Sequence, residues 1–363
     1  MIQQSTEASR PNPAPASPPG TESCRREFES ARTTTDSKEP DMTWTNLLIY
    51  ADARPETELA LNEGLRLATH SGGRLSALDV VKYEPVRSQG ISAEFQDDLS
   101  RLIQEQRYEQ LHDQLERLPT SRPVDIEVIC GNPAFELIRR AHRGRHDLVV
   151  KAARGRDSKH TTSFGTTALH LVRKSPVPVL IVSADRKLLE CPAVLCAIEL
   201  EDSHASQNHV RDLLRSARAL AEVHDAPLHV VHVIDTGRLA AYHAFLSPDV
   251  FARFVEGRRA ALESELEFAL SGGLSGLKSV HAHLLEGDPA DTIVDLVDQL
   301  NISHLVLGSV GHNEPGFFIG NVAEDVLSRA ACSVLTLKPT GFETPIAVGS
   351  QQPGIVSPPQ REH

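Results

Sequence analysis

The sequence predicts an α/β protein of two tandem domains, each a doubly wound, five-stranded parallel sheet. Three observations carry this reading. The segment 305–337 (LVLGSVGHNEPGFFIGNVAEDVLSRAACSVLTL) reads as apolar strand, glycine-punctuated loop, helix start and apolar strand, and 147–182 repeats that layout. The repeat continues upstream, where Gly131-Asn132-Pro133-Ala134 answers Gly287-Asp288-Pro289-Ala290 and 47–52 (LLIYAD) answers 194–199 (VLCAIE). Valine-rich strands alternate with helical segments across short connections, the pattern of a parallel sheet covered on both faces. The period, roughly 150 residues, is the length of a whole domain, so the chain is a duplication and not a solenoid of short repeats.

In the first copy an apolar strand over 47–51 leads into a helix with Leu61, Leu65 and Ala68 facing inward, ended by Gly72-Gly73. A strand over 75–81 precedes a long helix with Leu99, Leu102, Leu111, Leu115 and Leu118 at helical spacing, and Pro119 and Pro123 bracket its end. Strand 124–129 then enters the Gly-Asn-Pro-Ala turn, where Pro133 suits the first helical position. A helix to about Arg145 and a strand over 147–150 follow. The second copy repeats the order with a helix carrying Val210, Leu213, Leu214, Ala217 and Leu220, and a strand over 228–234. A long helix with Phe251, Phe254, Leu262, Leu266 and Leu270 stops at Gly272-Gly273, before strand 279–285 and helix 291–300.

These limits place the first domain at 44–185 and the second at 191–339. Residues 1–43 and 340–363 are rich in Pro and polar residues and lack apolar periodicity, so a disordered extension and a disordered tail are expected there, with 1–42 and 343–363 dispensable for folding. The net charge of −12 argues against a general nucleic-acid or membrane-surface binder. Five irregularly spaced cysteines fit a reducing compartment better than a disulfide framework. With no apolar run long enough for a signal-peptide core or a membrane span, a cytoplasmic location is the expectation.

Seventeen histidines raise the question of metal binding. His281 and His283 share one face of a strand, but two ligands are not a zinc site and spacing names no third, so no metal site is expected. His229 and His232 point to opposite faces. Ser71-Gly72-Gly73 and Ser271-Gly272-Gly273 follow helices and read as terminators. Glu201 and Asp202 read as an exposed turn. No GxxxxGKS loop, GxSxG elbow or HExxH helix is present, and no catalytic residue is expected.

Gly308, Gly311 and Gly320 stand where a backbone must come close to something, and Asn321 where a side chain can cap the following helix. Aligning Leu148 with Leu305 puts Lys151 and Arg154 in place of Gly308 and Gly311, with Gly165 answering Gly320. On that alignment Lys151 and Arg154 read as solvated loop charges, and only the second loop allows a phosphate to approach the backbone at a helix start. Between 308 and 328 there is no Lys or Arg, whereas Glu314, Glu324 and Asp325 are present.

On Gly308-x2-Gly311-x8-Gly320-Asn321, together with HDLVVKA and HLVRKSPVPVLIV of the first copy, residues 47–339 resemble the universal stress proteins of the tandem two-domain kind. The family's nucleotide-binding members carry Gly-x2-Gly-x9-Gly-Ser/Thr; here the loop is one residue shorter, Asn321 replaces the hydroxyl residue and Glu199 replaces the usual aspartate. The resemblance implies an adenine nucleotide α-hydrolase-like fold and a stress-response binding or adaptor role. It implies a small-molecule ligand such as ATP, with a divalent metal or distant cations offsetting the acidic loop. Ala197, Glu199 and Val233 would face adenosine, and Leu307, Gly308, Gly311, Gly320, Asn321 and Val322 would line the phosphate side. Pairing through last strands is implied as well, between the two copies as a pseudo-dimer and between chains as a homodimer. Two alternatives stay open: a slow nucleotide hydrolase or phosphotransferase at the second copy, and a partner-binding module in which both loops are empty.

Overall fold

The computed structural model describes residues 26–27, 44–52, 54–82, 92–120, 122–153, 164–183, 191–200, 204–243, 245–271, 274, 276–309 and 320–346. A two-residue strand β1 (Arg26–Glu27) precedes the first copy. That copy consists of β2 (Asn46–Tyr50), α1 (Thr57–Ser71), β3 (Arg74–Val81), α2 (Ala93–Glu116), β4 (Val124–Cys130), α3 (Pro133–Arg143), β5 (Leu148–Ala152), α4 (Gly165–Lys174) and β6 (Val179–Val182). The second consists of β7 (Val194–Ala197), α5 (His204–His224), β8 (Leu228–Asp235), α6 (Thr236–His243), α7 (Pro248–Ser271), β9 (Val280–Gly287), α8 (Pro289–Gln299), β10 (His304–Gly308), α9 (Asn321–Arg329) and β11 (Ser333–Leu337).

All strands join one 11-stranded sheet, in the order β1-β9-β8-β7-β10-β11-β6-β5-β2-β3-β4. Within each copy the five strands are parallel and doubly wound about the first, β2 or β7. One face is covered by α1, α2, α5 and α7, which pack Leu61, Leu115, Leu214 and Leu266 on the sheet. The other is covered by α3, α4, α8 and α9 through Leu137, Leu171, Ile293 and Val326. Local chemistry sets the element ends. Gly72 takes the left-handed conformation (φ 72°) that ends α1. Asn132 and Asp288 accept hydrogen bonds from the N–H groups of Phe135 and Asp291, with a proline inside the first turn of α3 and α8.

The two copies meet at their last strands. β6 and β11 pair antiparallel with Leu180 opposite Leu335, both fully buried. Across this seam Ser183 Oγ donates to Ala331 O (2.6 Å), and Arg173 of α4 pairs with Glu324 of α9. On the opposite face α1 touches α5. There the Glu63 carboxylate lies 2.8 Å from His224 Nε2 and 3.7 Å from His304 Nε2.

Several expectations are corrected. Leu99 and Leu102 on α2 are exposed, because the first half of that helix meets β4 through polar Ser100 and Gln104, and its apolar contact with the sheet is made further on by Leu111 and Leu115. Phe254 on α7 is exposed too, while Leu262 and Leu266 are buried. The helix α6 has no counterpart in the expected pattern. Within 340–346, read as the start of a disordered tail, Thr340 Oγ1 donates to Asp212 of α5 (3.4 Å), while Thr344 Oγ1 donates to Lys174 O of the first copy (2.7 Å) and Ile346 is buried. In the amino-terminal extension, Arg26–Glu27 pair antiparallel with β9; the rest of 1–43 lies outside the described residues.

Candidate ligand site

Strand register corrects the alignment of the two copies by one residue. Leu47 of β2 pairs with Leu148 of β5, and its counterpart Val194 of β7 pairs with His304 of β10. Leu148 therefore corresponds to His304, Ala152 to Gly308, and Lys151 to Leu307. Backbone hydrogen bonds agree, since Ala153 N–H donates to Val182 O as Ser309 N–H donates to Leu337 O. By the same count Gly155 answers Gly311, and both lie outside the described residues together with Arg154. A slip of one residue moves a strand residue to the opposite face.

The carboxyl ends of β7, β8 and β10 gather most of the residues singled out from the sequence. Ala197, half-buried, pairs in register with Leu307, and Val233 lies two residues beyond Val231, the partner of Ala197 on β8. All three belong to the face that carries α9. Gly320 N–H donates to Ser309 O (3.1 Å), which places the start of α9 beside the end of β10. Asn321 does not cap the helix: Gly320 is the N-cap, with no side-chain cap, and Asn321 and Val322 are exposed in the first turn. Among the described residues the first N–H groups of α9 thus have no side-chain cap, and they present the positive end of the helix dipole.

Gly308 faces the other way, toward α5. A Cβ built on it would lie 2.6 Å from Nε2 of His209, a buried residue of α5, so the close approach here is to a side chain of the same protein. Glu199 is exposed and pairs with Arg238 (3.4 Å), which also pairs with Asp235. Glu324, one of the acidic groups near the loop, is neutralised by Arg173 from the first copy.

The equivalent place in the first copy is filled. Tyr50 and Lys151 are register partners there, as Ala197 and Leu307 are in the second copy. Both are buried; Lys151 Nζ donates to Ala152 O (2.6 Å) and lies 5.7 Å from the Tyr50 ring centre. Lys151 is therefore an interior strand residue and not a solvated loop charge. Buried Phe164 precedes α4 on the same face. Asp52 at the end of β2 is held by Arg54 and by Thr57 Oγ1.

Elsewhere, His229 lies 3.0 Å from His283 and stacks on His281, whereas His232 bonds the Ile198 carbonyl from the opposite face. A cleft of about 430 Å³ lies beside β4 and α3, where Glu127 pairs with Arg140 and Glu136 with Arg139. Sequence reasoning missed the cluster of Glu63, His224 and His304; its members come from both copies, and no local spacing marks it. Burial alone would raise the Glu63 carboxyl, but the hydrogen bond with His224 and the two neighbouring imidazoles hold it far below the usual carboxylate range. Burial dominates at His304 and keeps it below ordinary histidine. Among the described residues no helix is long and apolar enough to cross a membrane.

Comparison with known proteins places this architecture. The sequence profile of the universal stress protein family matches residues 43–183 and 193–338. Universal stress protein E of Escherichia coli (strain K12) is 26% identical over 317 residues, covering 85% of this chain and 98% of that protein. A crystal structure from Pseudomonas aeruginosa UCBPP-PA14, assigned as a universal stress protein, superposes with a TM-score of 0.59 at 19% identity, over 82% of this chain and 94% of that one. A universal stress protein from Archaeoglobus fulgidus DSM 4304 gives a TM-score of 0.53 at 17% identity, over 81% of this chain and 98% of that one. The two structures share the fold.

Proposed function

The chain belongs to the universal stress protein family, and on that premise we propose that it is a stress-response binding module whose second copy takes an adenine nucleotide. The ligand enters at the carboxyl ends of β7, β8 and β10, the end of a doubly wound sheet where ligands bind. One observation supports this above the others: at the register positions where the first copy buries Tyr50 and Lys151, the second carries the smaller pair Ala197 and Leu307. Val233 and Leu307 supply apolar walls for the base, and the uncapped start of α9 at Gly320 supplies N–H donors for phosphate. Arg173, reaching across the seam to Glu324, lowers the negative field that the acidic loop presents. The role is binding without strong catalysis, because the carboxylates at these strand ends, Glu199 and Asp235, are both engaged by Arg238.

Calorimetric titration of the full chain with ATP, with and without Mg²⁺, tests the reading. One equivalent is expected, lost in Ala197→Tyr and in Gly320→Val and unchanged in Tyr50→Phe. Absence of binding, two equivalents, or binding that survives Ala197→Tyr would overturn it.

A further inference from the structure

The cluster at the seam has the composition and enclosure of a metal site. Glu63 comes from α1 of the first copy, and His224 and His304 from α5 and β10 of the second. All three are buried, and their ligand atoms lie within 4.8 Å of one another. Two imidazoles and a carboxylate form a donor set that zinc takes in proteins. Bonds of about 2.0–2.1 Å in tetrahedral geometry set ligand atoms about 3.3 Å apart. The distances from Glu63 Oε1, 2.8 Å to His224 and 3.7 Å to His304, bracket that value, so shifts of about half an ångström would close the site.

The orientation of the His304 ring follows from its neighbours. Ser303 Oγ is bonded to Ala193 O (2.9 Å), accepts from Ala193 N–H (3.1 Å) and lies 2.9 Å from His304 Nδ1, which holds that ring nitrogen away from Glu63. His304 Nε2 is fully buried and without a hydrogen-bond partner, 3.7 Å from a carboxylate oxygen of Glu63, a distance too long for a hydrogen bond. A buried carboxylate beside an unpartnered ring nitrogen is a place where a cation satisfies both groups. A hydrogen bond on the far ring nitrogen is also how metal-ligating histidines are oriented. In the first copy the strand position of His304 holds Leu148, so the arrangement occurs on one side of the seam only.

We propose that Glu63, His224 and His304 bind one Zn²⁺ that staples the two copies together across the α1–α5 side of the seam. The ion is held inside the protein and serves structure, since all its ligands are buried. Because ligands come from both copies, metal binding stabilises their association by mass action.

Full-length protein stripped with a chelator and titrated with Co²⁺ provides the test. With water in the fourth position, one equivalent should give the visible absorption of a four-coordinate cobalt site, be displaced by Zn²⁺, and raise the thermal midpoint. Glu63→Gln and His304→Gln should each abolish the band, with circular dichroism reporting that the fold is kept. Ser303→Ala, which leaves all three ligands in place, should weaken Co²⁺ binding by about 10–100-fold. His281→Gln should leave the band unchanged. Failure of the unaltered protein to take up Co²⁺, or a band that persists in both ligand variants, would overturn the proposal; loss of the band in His281→Gln alone would move the site to the histidines of β8 and β9.

Discussion

Replacing Lys338 with Met should stabilise the protein at neutral pH. Lys338 follows β11, and its Nζ is enclosed without a hydrogen-bond partner, 4.7 Å from the centre of the Phe342 ring. Burial pushes its pKa down from 10.5 to about 8. At about 1.4 kcal/mol per unit this corresponds to a cost of about 3.5 kcal/mol for keeping the amine charged inside the fold. Residual solvent contact reduces the figure, and the interaction with Phe342, worth about 0.5–2 kcal/mol, offsets more of it. The net gain for Lys338→Met is then about 1–2 kcal/mol at pH 7. The sign follows from linkage: between the folded pKa and 10.5 the unfolded chain binds more protons, so the unaltered protein gains stability as pH rises through that window. The advantage of the variant is therefore full below pH 8 and fades toward pH 10.5. Urea unfolding of both proteins at several pH values measures it. A variant less stable at pH 7, or an advantage that does not change with pH, would refute the reasoning.

Leu335→Ala, at the centre of the seam opposite Leu180, should cost about 2–5 kcal/mol, read as a lower denaturation midpoint. Arg107→Met leaves Asp79, fully buried and 2.6 Å from the guanidinium, without its partner and should cost about 3–5 kcal/mol at pH 7. Burial already raises the Asp79 carboxyl against the pull of Arg107, so this loss should shrink at acid pH, where the group is neutral. A chain ended at Pro339 should be about 2–3 kcal/mol less stable than one ended at Ile346, by the lost burial of Ile346 and the lost bond from Thr344 to Lys174; equal melting temperatures would show that this segment contributes nothing.

The fold was legible because its signals are local and repeated. The Gly-Asn-Pro-Ala and Gly-Asp-Pro-Ala turns name their own helix starts, and the valine-rich strands announce burial on both faces. The alignment of the two copies slipped at β5 because Leu148 matches Leu305 in type, whereas hydrogen-bond register pairs Leu148 with the place of His304. That slip hid the contrast of Tyr50 and Lys151 with Ala197 and Leu307. A lysine in a sequence reads as solvated, and only the structure shows Lys151 satisfied by the Ala152 carbonyl inside the core. The glycines of the loop were visible, but not that Gly308 makes room for His209. Glu63, His224 and His304 lie too far apart in the chain for any spacing rule, and meet only because α1 and α5 cross at the seam.

The pairing of β6 with β11 also sets an order of events during synthesis. β6 is complete once Val182 is made, but its partner strand ends at Leu337, roughly 155 residues later. At about 5–20 residues per second the ribosome needs roughly 10–30 s to supply it. Throughout that interval the first copy can fold its five strands while the Val-Leu-Ile-Val edge of β6 has no neighbour on its outer side. An apolar edge with free N–H and C=O groups is a template for strands of other nascent chains. The duplication thus leaves this edge open on the ribosome for as long as the second copy takes to be made, and slow translation between the two copies would lengthen that interval.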